Sequence, residues 1–90
     1  MDKTFHINII TAEQTVYEGQ VSSLVAPSPL GYFGILVNHA PLITDIYKGN
    51  ITLREEQGKT KVFRFKGKGF LEVFKNKVTL LLDSLPGLSE

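Results

Sequence analysis

Hydrophobic and polar positions alternate along most of this chain with a period of two. Phe5, Ile7 and Ile9 are apolar and the intervening His6 and Asn8 are polar, so one face of that run can enter a core while the other meets solvent. Val21, Ser23 and Val25 alternate with Ser22, Leu24 and Ala26 in the next run, which is expected to stop at Pro27 because proline has no N–H to give a ladder. Further short runs lie at 34–37, 42–47, 51–56, 61–66, 70–74 and 78–82. Between them KGN (48–50), EQGK around Gly58, KGKG (66–69) and KNK (75–77) place Gly or Asn where a tight turn needs positive φ. No useful stretch has apolar residues at three- and four-residue spacing, so helix is almost absent. Many short strands at close spacing must hide their apolar faces by packing sheet on sheet or by closing. The expected fold is all-β: a flattened antiparallel β-sandwich of roughly eight to ten short strands, preferred over a small barrel.

Composition narrows the picture. Ninety residues close one hydrophobic core, so the expectation is a single domain over 1–90, its sheet ending near Asp83 and a short tail following after about residue 85. Hydrophobic residues at 42% and charged residues at 21% are those of a folding chain rather than a disordered one. The absence of cysteine excludes disulfides, thiolate catalysis and Cys-ligated metal, and fits a reducing, cytosolic setting. The N-terminal MDKTFHINII has neither the long apolar stretch nor the small-residue cleavage site of a secretory signal. Residues 19–44 carry no charge, yet Pro27, Pro29, Pro41 and three glycines break any apolar helix there, so no membrane span is expected.

Charge is uneven although the formal total is only +1. Nine of the ten basic residues fall between Lys48 and Lys77 and face only Glu55, Glu56 and Glu72 in that stretch, a net +6. A solvated face that discourages edge pairing is the ordinary reading of such a stretch. Interleaved with Phe63, Phe65 and Phe70, it also suggests a second reading, a small β-barrel module for single-stranded nucleic acid. Several motifs fail on their own terms. KGKGFLEV (66–73) lacks two stacking aromatics of an RNA-recognition signature, and GKT (58–60) has Leu53 where a phosphate loop needs glycine. His6 and His39 have no carboxylate, serine or second histidine at a spacing suited to a metal site or relay, so no catalytic residue, metal or cofactor is expected.

INIITAEQTVYEGQVSSLVAP, then GYFGILVNHAPLIT, a Lys-Gly turn before ITL, and GFLEVFKNKVTLLLD follow one another in an order and spacing that resemble the N-terminal domain of the epsilon subunit of rotary F-type ATP synthases, over about residues 4–85. The resemblance implies a β-sandwich in the central stalk, a non-catalytic rotor part that couples rotation to ATP synthesis in a proton-translocating enzyme. It implies the gamma subunit and the loops of the c ring as partners, with no nucleic acid. The implied location is peripheral, on the cytoplasmic face of an energy-transducing membrane and reached only through the complex. Carried over residue by residue, it puts Leu30, Gly31, Tyr32 and Phe33 at the c-ring contact and Thr11, Asn38, His39, Pro41 and Leu42 at the gamma contact. Members of the family commonly continue into a pair of C-terminal helices, whereas the sequence here stops at Glu90, so a short form is expected. Tyr32 replaces an acidic residue of some relatives, so no salt-bridged ring contact is expected there.

A physical reason for the uncharged segment PLGYFGILVNHAPLI (29–43) accompanies the resemblance. Prolines and glycines limit its conformations before it meets a partner, which lowers the entropy lost on association. Tyr32 and Phe33 add contact area on few rotatable bonds, and the absence of charge leaves no ion stranded when water departs.

Overall fold

The computed structural model describes residues 3–89. Nine strands follow in order: β1 (Phe5–Ile10), β2 (Thr15–Ser28), β3 (Gly31–Leu36), β4 (Leu42–Ile46), β5 (Gly49–Glu55), β6 (Thr60–Phe65), β7 (Gly69–Phe74), β8 (Lys77–Leu82) and β9 (Gly87–Ser89). Hydrogen bonding joins them as β4-β7-β8-β1-β2-β5-β6-β9, with β3 attached to β2. The all-β expectation holds.

The fourteen-residue β2 makes this curled sheet into two layers. Its first part, from Thr15 to Val21, pairs with β1, whereas Ser23 to Ser28 pairs with β3. The ladder to β5 shifts register between Val21 and Ser23, leaving Ser22 as the extra residue of a bulge. Bulges bend a strand and increase its twist, and this one falls where β2 passes from one layer to the other. Ile7 and Ile9 of β1, Leu71 of β7 and Leu80 of β8 therefore meet Leu24, Ile35, Leu53 and Phe65 in one buried cluster. The N–H of Tyr47, just past β4, donates to the Pro27 carbonyl at 3.0 Å and ties the two layers together at one end.

Three details depart from the sequence reading. The second strand begins earlier, at Thr15, and runs past Pro27 to Ser28; proline sits one residue from the strand's end, where a missing donor costs least. The expected tail is partly paired: Gly87–Ser89 lies along the outer edge of β6, with Arg64 opposite Gly87. One pair is parallel rather than antiparallel, β1 with β8, Ile7 standing beside Val78 and Ile9 beside Leu80. Parallel neighbours need a long connection, and here the connection is the whole intervening chain.

Candidate functional site

The β2–β3 hairpin is built by its own side chains. Ser28 Oγ donates to the Gly31 carbonyl at 2.8 Å and accepts the Leu30 N–H at 3.2 Å, closing the turn around Pro29 and Leu30. Gly31, at φ 117°, takes the left-handed conformation the turn requires, although a Cβ there would touch nothing within 4 Å. Leu30 is left 100% exposed at the tip and Tyr32 60% exposed on the flank. The Tyr32 hydroxyl accepts the Asn50 N–H at 3.0 Å, so the hairpin is moored to the start of β5. Phe33 is half-buried against the core, and Ile35, one pleat further, is fully inside.

The β3–β4 loop approaches from the other side. Asn38 takes φ 64° and exchanges amide hydrogen bonds with the β7–β8 turn: its N–H reaches Asn76 Oδ1 at 2.6 Å, and Asn76 Nδ2 donates to Asn38 Oδ1 at 2.8 Å. The His39 N–H donates to the Leu36 carbonyl at 3.2 Å, and its ring Nδ1–H points at the Ala40 carbonyl 2.6 Å away. Leu42 packs on the core at the start of β4. His39 and Leu42 then line the same shallow groove of about 360 Å³ as Leu30, Gly31, Tyr32 and Phe33, and no Lys, Arg, Asp or Glu borders it. Residues assigned by sequence to two different contacts thus converge on one uncharged surface.

Thr11 and Asn38 do not line that groove. Thr11 is only 6% exposed, and its hydroxyl accepts the N–H groups of Glu13 and Gln14 at 3.3 Å each, fixing the β1–β2 turn. Pro41 is exposed between His39 and Leu42.

Sequence reasoning missed a second surface. Ile43, Phe70, Phe74 and Leu81 project from the outer side of β4, β7 and β8, with Phe70 directly opposite Leu81 in the ladder. The signal was available in FLEVF and LLL, where apolar residues occupy both parities of a strand instead of one. Exposed Asp45 and Glu72 stand opposite Phe70 and Ile43 on the same face, so it combines four large apolar side chains with two acids, a composition suited to contact with another macromolecule. The Thr11 turn and the Asn38–Asn76 pair border it from opposite ends: Ala12 shares a groove of about 480 Å³ with Phe70 and Leu81, and Asn76 lies two residues past Phe74, in the β7–β8 turn.

Across the bend of β2, the Tyr17 hydroxyl donates to Glu55 Oε2 at 2.6 Å, and its ring meets Phe63 edge-on with centroids 5.9 Å apart. Lys61 Nζ lies 3.9 Å from the same carboxylate and 5.6 Å from the Tyr17 centroid. Burial first, and then the hydrogen bond and charge of Glu55, push the Tyr17 phenol from 10.0 up to about 12. The cluster joins β2, β5 and β6. Phe63 and Phe65, at 5% and 2% exposure, are also interior, so the aromatic platform required by the nucleic-acid reading is reduced to Phe70 at 56%. Among the described residues no group of three His, Cys, Asp or Glu could hold a metal ion.

Residues 4–85 match the family described as ATP synthase, Delta/Epsilon chain, beta-sandwich domain. An ATP synthase epsilon chain from Alkalilimnicola ehrlichii is 40% identical over 81 residues, which are 90% of this chain and 57% of the relative. In fold, the chain is similar to one in the Euglena gracilis mitochondrial ATP synthase OSCP/F1/c-ring structure, with a TM-score of 0.86 and 16% identity over 96% of this chain and 55% of the other. It is also similar to one in the Tetrahymena thermophila mitochondrial ATP synthase central stalk/c-ring structure, with a TM-score of 0.73 and 15% identity over 89% of this chain and 63% of the other. The chain thus spans little more than half the length of the curated relative.

Proposed function

This chain belongs to the family of the ATP synthase Delta/Epsilon chain beta-sandwich domain, and from that membership we propose that it serves as a non-catalytic epsilon-type subunit of the central stalk in a proton-translocating ATP synthase, coupling gamma to the c ring. It would act at the membrane peripherally, on the cytoplasmic face, through the assembled complex; among the described residues no helix is long and apolar enough to cross a bilayer.

The observation that carries the reading is the moored, uncharged hairpin. A part that passes torque must present contacts that do not yield, and this tip is held at Ser28, at Gly31 and through the Tyr32–Asn50 bond before any partner arrives. In the proposed arrangement Leu30 to Phe33 meet the loops of the ring. His39, Pro41 and Leu42 meet gamma beside them, and the contact continues over Ile43, Phe70, Phe74 and Leu81. Thr11 and Asn38 act in that contact by holding the turns that border it, since their polar atoms are already engaged within the chain. No Lys, Arg, Asp or Glu at the groove has to be desolvated without a partner.

The test is reconstitution of the chain with purified gamma subunit and c ring. Leu30→Asp puts a charge on the fully exposed tip and is expected to lower ring binding at least tenfold with an unchanged melting temperature. Phe70→Asp is expected to weaken gamma binding by about 2 kcal/mol or more, as loss of an aromatic anchor does. Wild-type affinity for both partners in both variants would refute the arrangement.

A further inference from the structure

Lysines from two connections far apart in sequence meet at the end of the sandwich that carries the hairpin. Lys48 comes from the β4–β5 connection and Lys66 and Lys68 from the β6–β7 turn, and together they line a groove of about 580 Å³ with Tyr47, Gly67 and Asp83. Among the described residues, ion pairs join only His6 to Glu18 and Lys61 to Glu55, so none of these three lysines has an acidic partner. Asp83, the acid in the groove, is occupied otherwise. Its Oδ1 accepts the Lys68 N–H at 3.0 Å, its own N–H donates to the Lys68 carbonyl at 3.0 Å, and its carboxylate packs against Gly67.

That arrangement differs from a merely solvated set of lysines. Lys61 is spent on Glu55 and the ring of Tyr17, and Lys75 lies over the ring of Phe74 at 5.3 Å. At the groove, by contrast, Asp83 holds Lys68 at both its backbone N–H and its carbonyl, while the three ammonium groups have no acidic partner among the described residues. Counting Lys48, Lys66 and Lys68 against Asp83 leaves the groove net +2. Three ammonium groups that line one groove without an acidic partner suit a compact multivalent anion that they can share, and Tyr47 lines the same groove.

We propose that the Lys48–Lys66–Lys68 groove is a binding site for a phosphate group, carried either by an anionic lipid headgroup or by a soluble phosphate compound. The site does not depend on the stalk reading, because the isolated chain is sufficient to test it. The probe is pyrophosphate, titrated into isotopically labelled chain at constant ionic strength while amide shifts are followed. Saturable movement of the Tyr47, Gly67 and Lys68 amides is expected, with affinity falling at least fivefold in the Lys66→Gln/Lys68→Gln variant and unchanged in Lys59→Gln/Lys75→Gln. Melting temperatures of both variants check that the fold survives. A second arm uses phosphatidylglycerol and phosphatidylcholine vesicles: retention on phosphatidylglycerol alone, competed by pyrophosphate, identifies the lipid source. Saturable pyrophosphate binding without vesicle retention identifies the soluble source. Non-saturating shifts spread equally over the Lys59 and Lys75 amides, or equal affinity in both variants, would overturn the proposal, whatever the outcome with gamma or the ring.

Discussion

Gly49→Ala tests how the hairpin is moored. Gly49 opens β5 at φ 150°, a conformation that L residues with a side chain rarely adopt. A Cβ at that position would also fall 2.7 Å from Tyr32 Oη and 2.9 and 3.0 Å from Cβ and Cγ of the buried Pro27. The backbone strain costs about 1–3 kcal/mol, and forcing a methyl into an already filled space costs about 1–3 kcal/mol more. The proline ring cannot move but the tyrosine can swing away, so the expected loss lies below the middle of the combined range of about 2–6 kcal/mol, at about 3 kcal/mol. Against a total of about 4–14 kcal/mol for a chain of this size, that is a large fraction. Urea unfolding followed by circular dichroism reads it as a lower midpoint at unchanged slope. Adding Tyr32→Ala removes one of the two obstacles, so the double variant should recover at least about 0.5 kcal/mol relative to the sum of the single changes. A Gly49→Ala loss below about 1 kcal/mol would refute the claim that Pro27 and Tyr32 leave no room for a side chain at Gly49.

Two further perturbations probe the supports of the site. Tyr17→Phe removes a short hydrogen bond to a carboxylate and should cost about 1–2 kcal/mol, because Glu55 keeps Lys61 and some water. Since folding raises the Tyr17 phenol from 10.0 to about 12, its contribution is present below pH 10 and lost as pH climbs toward 12. Ultraviolet titration should therefore show one phenol ionising near pH 12, absent in the variant, and an alkaline loss of melting temperature smaller in the variant than in the wild type. Asn38→Ala loses both the tolerated positive φ and the exchange with Asn76, for about 2 kcal/mol, whereas Asn38→Gly keeps the backbone and should cost about 1 kcal/mol. Equal losses from the two substitutions in thermal denaturation would show that backbone conformation is not what asparagine contributes.

Much of the fold is legible because local rules and tertiary packing agree. The alternation at Phe5, Ile7 and Ile9 names the face that becomes core, and Gly58 and Asn76 mark turns that do take positive φ. The end of β2 and the pairing of Gly87–Ser89 were not legible, since a three-residue strand has no periodicity and exists only because β6 offers it an open edge. The site was legible in part. An uncharged segment with aromatic residues between prolines and glycines reads as a surface turn, and Leu30 and Tyr32 do stand exposed on it. Phe63, Phe65 and Phe70 illustrate the limit: alternation puts Phe63 and Phe65 on one face of β6 but does not say whether that face meets core or water.

Period-two patterning, turn chemistry and the lack of cysteine and helical spacing are properties of neighbours along the chain, and by themselves they determine an all-strand, unstapled single core. Which distant residues share a surface depends on how β2 bends at Ser22 and on the order in which strands pair. That bend and that order bring His39 and Leu42 to the groove of Tyr32, and Lys48 to Lys66 and Lys68. Side-chain alternation carries no information about either, because it records burial and not the identity of the neighbour across the core.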